Sequence, residues 1–190
     1  MSDPTKLYFS DKILASTILR IIPQGVRPNY VTVLRFILTP LVVFLLFKES
    51  YRSGLVLFVC VAFTDALDGA LARSRNLITD WGKMYDPLAD KLLICSVIYV
   101  LVIKYLNLYL AFSVMILEMI IIIFGVLKRK QGSSFQANWW GKTKMISQVL
   151  GVSCLLLALI LHLSVLVHIS SIIFTCALIL GLVSLFTYSL

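Results

Sequence analysis

Acidic residues are scarce in this chain. Nine Asp and Glu stand against seventeen Lys and Arg, which with two histidines leaves a formal net charge of +8. Cysteine is scarcer still: Cys60, Cys95, Cys154 and Cys176 are far apart, and each lies in an apolar stretch. That spacing excludes a disulfide framework and a clustered zinc site, and leaves the four as small buried residues. There is no internal repeat of roughly 20–50 residues, no low-complexity tract and no nucleic-acid-binding module. The first residues, MSDPTKLYFSDK, are polar and precede an interrupted apolar pattern, so no cleavable signal peptide is expected.

What the chain has in excess is apolar sequence. Sixty per cent of its 190 residues are hydrophobic, and the mean hydropathy is +0.98. A soluble domain holds roughly 45–50%, so the expectation is one all-α integral membrane protein. Apolar windows place six transmembrane helices at about 31–47, 54–73, 82–104, 108–127, from after Gly141-Lys142-Thr143-Lys144 to 163, and 170–186. His162 and His168 flank the link between the last two, and Trp139 and Trp140 mark an interfacial belt. Residues 1–27 are too interrupted to span. Leu14, Ile18, Ile21 and Ile22 recur at helical spacing with Lys12 and Arg20 on other faces, which predicts a short amphipathic interfacial helix ending near Pro23 to Gly25. The chain thus divides into an interfacial segment, 1–27, and a six-span domain, 28–190.

Basic residues orient these spans. Four precede the first span, three border the link after the second, and five border the link after the fourth. The opposite side has Lys48, Arg52 and Lys104. Twelve against three puts both termini in the cytoplasm, at the cell (inner) membrane.

Five of the nine acids crowd into residues 65–90, DALDGALARSRNLITDWGKMYDPLAD, between the apolar runs 55–63 and 92–103. A carboxylate near a bilayer core costs about 2.5–3.5 kcal/mol on insertion scales. Asp65 and Asp68 are three apart and Asp86 and Asp90 four apart, so each pair shares a helix face. Antiparallel helices would gather all four, and like charges so close need a counter-cation. Oxygen donors of this kind suit Mg²⁺ or Mn²⁺. Gly69 and Ala72 leave room beside the backbone, and Arg73 one turn on is suited to an anionic group. The combination suits a phosphate or pyrophosphate. A second reading, from another class, is an intramembrane-carboxylate path for protons or ions.

Asp65-x2-Asp68-Gly69-x2-Ala72-Arg73-x8-Gly82-x3-Asp86-x3-Asp90 resembles the signature of the CDP-alcohol phosphatidyltransferase family, with eight identities across 26 positions. The resemblance covers roughly residues 28–152. It implies transfer of the phosphatidyl group of CDP-diacylglycerol to an alcohol with release of CMP. It implies two divalent ions, Mg²⁺ or Mn²⁺, held by Asp65, Asp68, Asp86 and Asp90, with Asp90 also the catalytic base toward the acceptor hydroxyl. Gly69, Ala72, Arg73 and Gly82 would shape the cytidine and phosphate slot. Asn29 and Thr32, which match a Pro-Asn-x-x-Thr segment, and Thr79 would add to CDP-lipid binding. A homodimer among membrane lipids, with no nucleic-acid partner, is implied as well.

The acceptor is read from finer features. Thr32-Val33-Leu34-Arg35, the run from Asp86 to Lys91, and Gly141-Lys142-Thr143-Lys144 resemble the branch that uses glycerol 3-phosphate. Candidate cations for the acceptor phosphate are Arg35, Lys91, Lys142 and Lys144; for each the alternative is an interfacial anchor, Arg35 by snorkelling. One position departs: that branch carries an Arg-Glu pair on its fourth span, whereas Leu117 precedes Glu118 here. Phosphatidylglycerol, as in cardiolipin synthesis, and inositol phosphate are the alternative acceptors.

Overall fold

A computed structural model describes the backbone of residues 28–74, 80–130 and 139–189 and, within the helices, the side chains of 29–64, 85, 88–128 and 139–187. Everything described is helix or tight turn. Six helices follow one another: α1 Pro28–Phe47, α2 Tyr51–Ser74, α3 Asp80–Tyr105, α4 Leu108–Lys130, α5 Trp139–Leu161 and α6 Ser164–Ser189. The expected interfacial helix at 1–27 lies outside the described residues.

Each helix is longer than its apolar window. Windows measure the hydrocarbon layer, but a backbone in or near lipid keeps its hydrogen bonds inside the helix past that layer. So α1 starts at Pro28, where a proline costs no hydrogen bond. Ser74 belongs to α2, and Asp80 and Trp81 to α3, which shortens the expected link at both ends. Gly141-Lys142-Thr143-Lys144, expected ahead of the fifth span, forms early turns of α5, and that helix stops at Leu161. His168 sits inside α6 rather than in the link. Among the described residues, four stretches are long and apolar enough to cross a membrane: Asn29–Phe47, Leu108–Lys128, Trp139–Leu161 and Ser164–Thr187. Their outward faces carry Ile37, Phe44, Ile116, Ile123, Ile172 and Phe186, all exposed. Such apolar surface belongs against lipid rather than water, and the chain is an integral membrane protein.

The cysteines correct one expectation. Cys60 and Cys176 are exposed on their helices, Cys95 and Cys154 half-buried, and none of the four is in a disulfide. A small apolar residue facing lipid meets the same kind of surroundings as one in a core, so sequence pattern does not separate the two.

The turns explain how the helices stop. In the α1–α2 turn the Ser50 amide donates to the Leu45 carbonyl (3.0 Å) and the Glu49 amide to the Leu46 carbonyl (3.1 Å). Glu49 sits at φ 57°. This is a Schellman ending with glutamate where glycine is usual. α5 ends on the same plan: the Leu163 amide donates to the Ala158 carbonyl (3.1 Å) and His162 sits at φ 55°. α4 starts on a side-chain cap, the Asn107 Oδ1 accepting from the Tyr109 amide at 2.8 Å. Pro40 lies inside α1, where the Phe36 carbonyl loses its amide donor. Beside it the Thr39 hydroxyl donates to the Arg35 carbonyl at 2.8 Å, the kind of side-chain support that lets proline persist in membrane helices.

Backbone contacts divide the chain into two units. One takes the chain up to Phe44 together with Val56–Leu93; the other takes Leu45–Leu55 and Ile94–Leu190. In the second unit α6 packs along α5 and also against α4. The α5 contact is close because Gly151 has no side chain: a Cβ there would lie 3.1–3.3 Å from the Phe174 ring, which is fully buried. At one end of this unit Tyr51 and Tyr105 join hydroxyls with their rings edge to face, 6.1 Å between centroids. Glu49 and Lys104 form an exposed ion pair beside them.

His162→Gly removes the cost of a Cβ in the left-handed region, about 1–2 kcal/mol. The expected outcome is a raised thermal midpoint in detergent, whereas Asn107→Ala lowers it through a cap loss of about 1 kcal/mol.

Candidate active site

The buried stripe of α1 runs Thr32, Arg35, Thr39, Val42, Leu46, a repeat of three and four residues. Its first half is polar and its second apolar. On α2, Gly54, Phe58 and Val61 are buried at the same spacing. That helix continues unbroken through Asp65, Asp68, Gly69, Ala72 and Arg73, so these positions carry the register onward. α3 passes unbroken through Gly82, Asp86 and Asp90 before its own buried run, Leu93, Val97 and Leu101. The two acid pairs therefore occupy the helical spacing that brings both members of each to one face. All the signature positions from Asp65 to Asp90, with Asn29, Thr32 and Arg35, fall in the first unit. Thr79 lies outside the described residues, as do the side chains of Asp65, Asp68, Gly69, Ala72, Arg73, Gly82 and Asp86.

Where side chains are described, the geometry is specific. Arg35 pairs with Asp90, its side chain fully buried and that of Asp90 12% exposed. A guanidinium stays charged in any protein environment, and it reaches here across 55 residues of sequence to a carboxylate. Arg35 therefore does not snorkel to an interface. Asn29 and Lys91 are half-buried and Thr32 is fully buried. Among the described residues no three His, Cys, Asp or Glu side chains converge on a point that could hold a metal ion. The donor set itself fits a hard divalent ion. It consists of carboxylates alone, on two continuous helices, and the one described, Asp90, already faces a cation.

A second buried charge pair belongs to the other unit. Lys144 of α5 meets Glu118 of α4, each side chain 3% exposed. The Gln148 Nε2 donates to the same Glu118 carboxylate at 2.9 Å. Gly181 of α6 lets this cluster close: a side chain there would run into Leu117 and lie 3.1 Å from the Lys144 stem. Of the four candidate acceptor cations, Arg35 and Lys144 are thus buried against carboxylates, and Lys142 is exposed at the start of α5. Sequence reasoning placed Glu118 on the fourth span but missed its partner and missed Gln148. The signal was present, since Lys144, Gln148 and Gly151 recur at helical spacing on α5.

The sequence model for the family CDP-alcohol phosphatidyltransferase matches residues 26–183. The chain belongs to this family. The match covers all of the helices α1 to α5 and most of α6, and the family depends in general on divalent metal ions. Three relatives carry the name CDP-diacylglycerol–glycerol-3-phosphate 3-phosphatidyltransferase. That of Bacillus subtilis (strain 168) is 31% identical over 148 residues, 68% of this chain and 76% of its own length. That of Rickettsia felis is 42% identical over 80 residues, 40% of this chain and 44% of its own length. That of Aquifex aeolicus is 47% identical over 64 residues, 34% and 36% of the two lengths. The chain thus aligns with less than half the length of the Rickettsia relative.

Removing one partner of a buried ion pair costs about 3–5 kcal/mol, whereas replacing both by apolar residues is near neutral. Lys144→Met should therefore lower the thermal midpoint in detergent sharply, and Glu118→Leu with Lys144→Met should restore most of it.

Proposed function

We propose that the protein transfers the phosphatidyl group of CDP-diacylglycerol to sn-glycerol 3-phosphate, giving phosphatidylglycerol phosphate and CMP. The observation that carries this reading is the complete acidic signature on two unbroken helices, its positions all within one unit. The names of the relatives support the acceptor. The same chemistry on phosphatidylglycerol or inositol phosphate is the alternative.

The roles are those the family resemblance implies, and residue chemistry is consistent with them. Asp65, Asp68, Asp86 and Asp90 would hold two Mg²⁺ or Mn²⁺ ions. Such ions, if bound there, would supply charge neutralisation to the pyrophosphate and make its phosphorus more electrophilic. Gly69, Ala72 and Gly82 leave space close to the backbone for the nucleotide, and Arg73, Asn29, Thr32 and Thr79 provide donors to its phosphates and cytidine. Asp90 accepts the proton of the acceptor hydroxyl as that oxygen bonds to phosphorus and CMP leaves. Lys91, Lys142 and Lys144 are the cations considered for the acceptor phosphate. Arg35 belongs to that set by sequence and takes a different role below.

The setting is part of the proposal. α2 and α3 complete six spans, residues 1–27 form the interfacial helix, and both termini face the cytoplasm at the inner membrane, where a nucleotide is available. The protein works as a homodimer.

Purified protein given CDP-diacylglycerol and Mg²⁺ or Mn²⁺ should release CMP with glycerol 3-phosphate. Release with phosphatidylglycerol or inositol phosphate instead would change the acceptor. Release with none would end the transferase reading, and a metal-independent ion flux in liposomes would favour the rival. Asp90→Asn should retain most metal binding and lose turnover by about 10²-fold or more, the usual scale of a general base; wild-type rates would remove Asp90 from that role.

A further inference from the structure

The buried cation beside the acid signature has no role in the chemistry just described. Arg35 has a side chain without solvent exposure, on the polar half of the α1 stripe, and it pairs with Asp90. A guanidinium aimed at an acceptor phosphate has to be reached by that phosphate. This one is turned instead onto the carboxylate that the proposed chemistry uses. Its backbone is held as well, since the Thr39 hydroxyl donates to the Arg35 carbonyl one turn before Pro40.

We propose that Arg35 is a positioning residue that serves as the built-in counter-cation of Asp90 in the metal-free protein, so that divalent-ion binding at the signature competes with it. This rests on the metal-dependent transferase reading and deepens it. The physical case is direct. A carboxylate this enclosed needs a positive partner before any ion arrives. A tethered guanidinium supplies one, keeps the carboxylate in a single orientation, and opposes a second cation by direct repulsion. The arrangement sets a threshold on divalent-ion affinity and keeps α1 registered to α3 within their unit.

The test measures Mn²⁺ binding to purified protein without substrates, by the electron paramagnetic resonance signal of free Mn²⁺, and CMP release separately. Arg35→Gln should bind Mn²⁺ about tenfold more tightly, because one nearby positive charge at partly buried depth is worth at least that factor. Its kcat should fall while KM for glycerol 3-phosphate stays within about twofold, since uniform binding of the acceptor is untouched. Arg35→Lys keeps the charge and the fold but shortens the reach. It should bind Mn²⁺ like wild type, with kcat reduced and KM again unchanged. Unchanged Mn²⁺ affinity in Arg35→Gln overturns the proposal. So does a raised KM for glycerol 3-phosphate with kcat kept in either variant, which would make Arg35 an acceptor ligand. If Arg35→Gln does not fold, the kcat and KM of Arg35→Lys decide alone. Failure of the transferase reading looks different, because wild-type protein would then bind no Mn²⁺ or release no CMP with any acceptor.

Discussion

A charge placed among apolar helices has to find its opposite within the chain. Water is not there to screen it, and the cost of an unmatched ion exceeds most single contributions to stability. Among the described residues, two buried pairs meet this constraint, one in each unit: Arg35 with Asp90, and Lys144 with Glu118. Each links two different helices, across 55 and 26 residues of sequence, so each fixes a register that apolar packing alone leaves loose. Leucine against isoleucine is tolerant of sliding; a guanidinium against a carboxylate is not. The two pairs differ in what surrounds them. Glu118 also accepts from Gln148 and is closed over by Leu117 and Gly181, which makes a sealed polar knot. Asp90 retains some exposure and sits at the end of the acidic signature, where a binding group has to be approached.

Much of this was legible beforehand, and the reasons are specific. Asp65, Asp68, Asp86 and Asp90 announce themselves because carboxylates are costly in apolar sequence and their spacing is helical. The start of α4 at Leu108 was readable from the end of its apolar run, and Asn107 supplies the cap there. The pairing of Arg35 with Asp90 was not readable, because partners 55 residues apart leave no local pattern. Lys144 was hidden for a related reason. A lysine near a predicted span end reads as an anchor until the opposite helix is known to present Glu118. Helix ends were misplaced wherever polar residues continue a helix past its apolar window, as at Gly141 to Lys144. The two Schellman turns escaped notice because Glu49 and His162 stand where glycine would have given the signal.

The fold and the site use the same stripes. On α1 the buried face changes from Thr32, Arg35 and Thr39 to Val42 and Leu46, and on α3 the half-buried Asp90 comes just before the buried run Leu93, Val97 and Leu101. A single helix thus carries chemistry at one end and packing at the other. Membrane helices gain little from hydrophobic burial against one another, since lipid is equally apolar. Close approach through Gly151 and Gly181, and matched charges, supply the specificity that a water-soluble core would take from burial.

The link between α5 and α6 is two residues, His162 and Leu163, closed by backbone hydrogen bonds. Such a short tether gives neither helix a separate route into the bilayer. Physically the two helices are one hairpin, and a hairpin is the unit in which such closely tethered apolar segments partition into lipid.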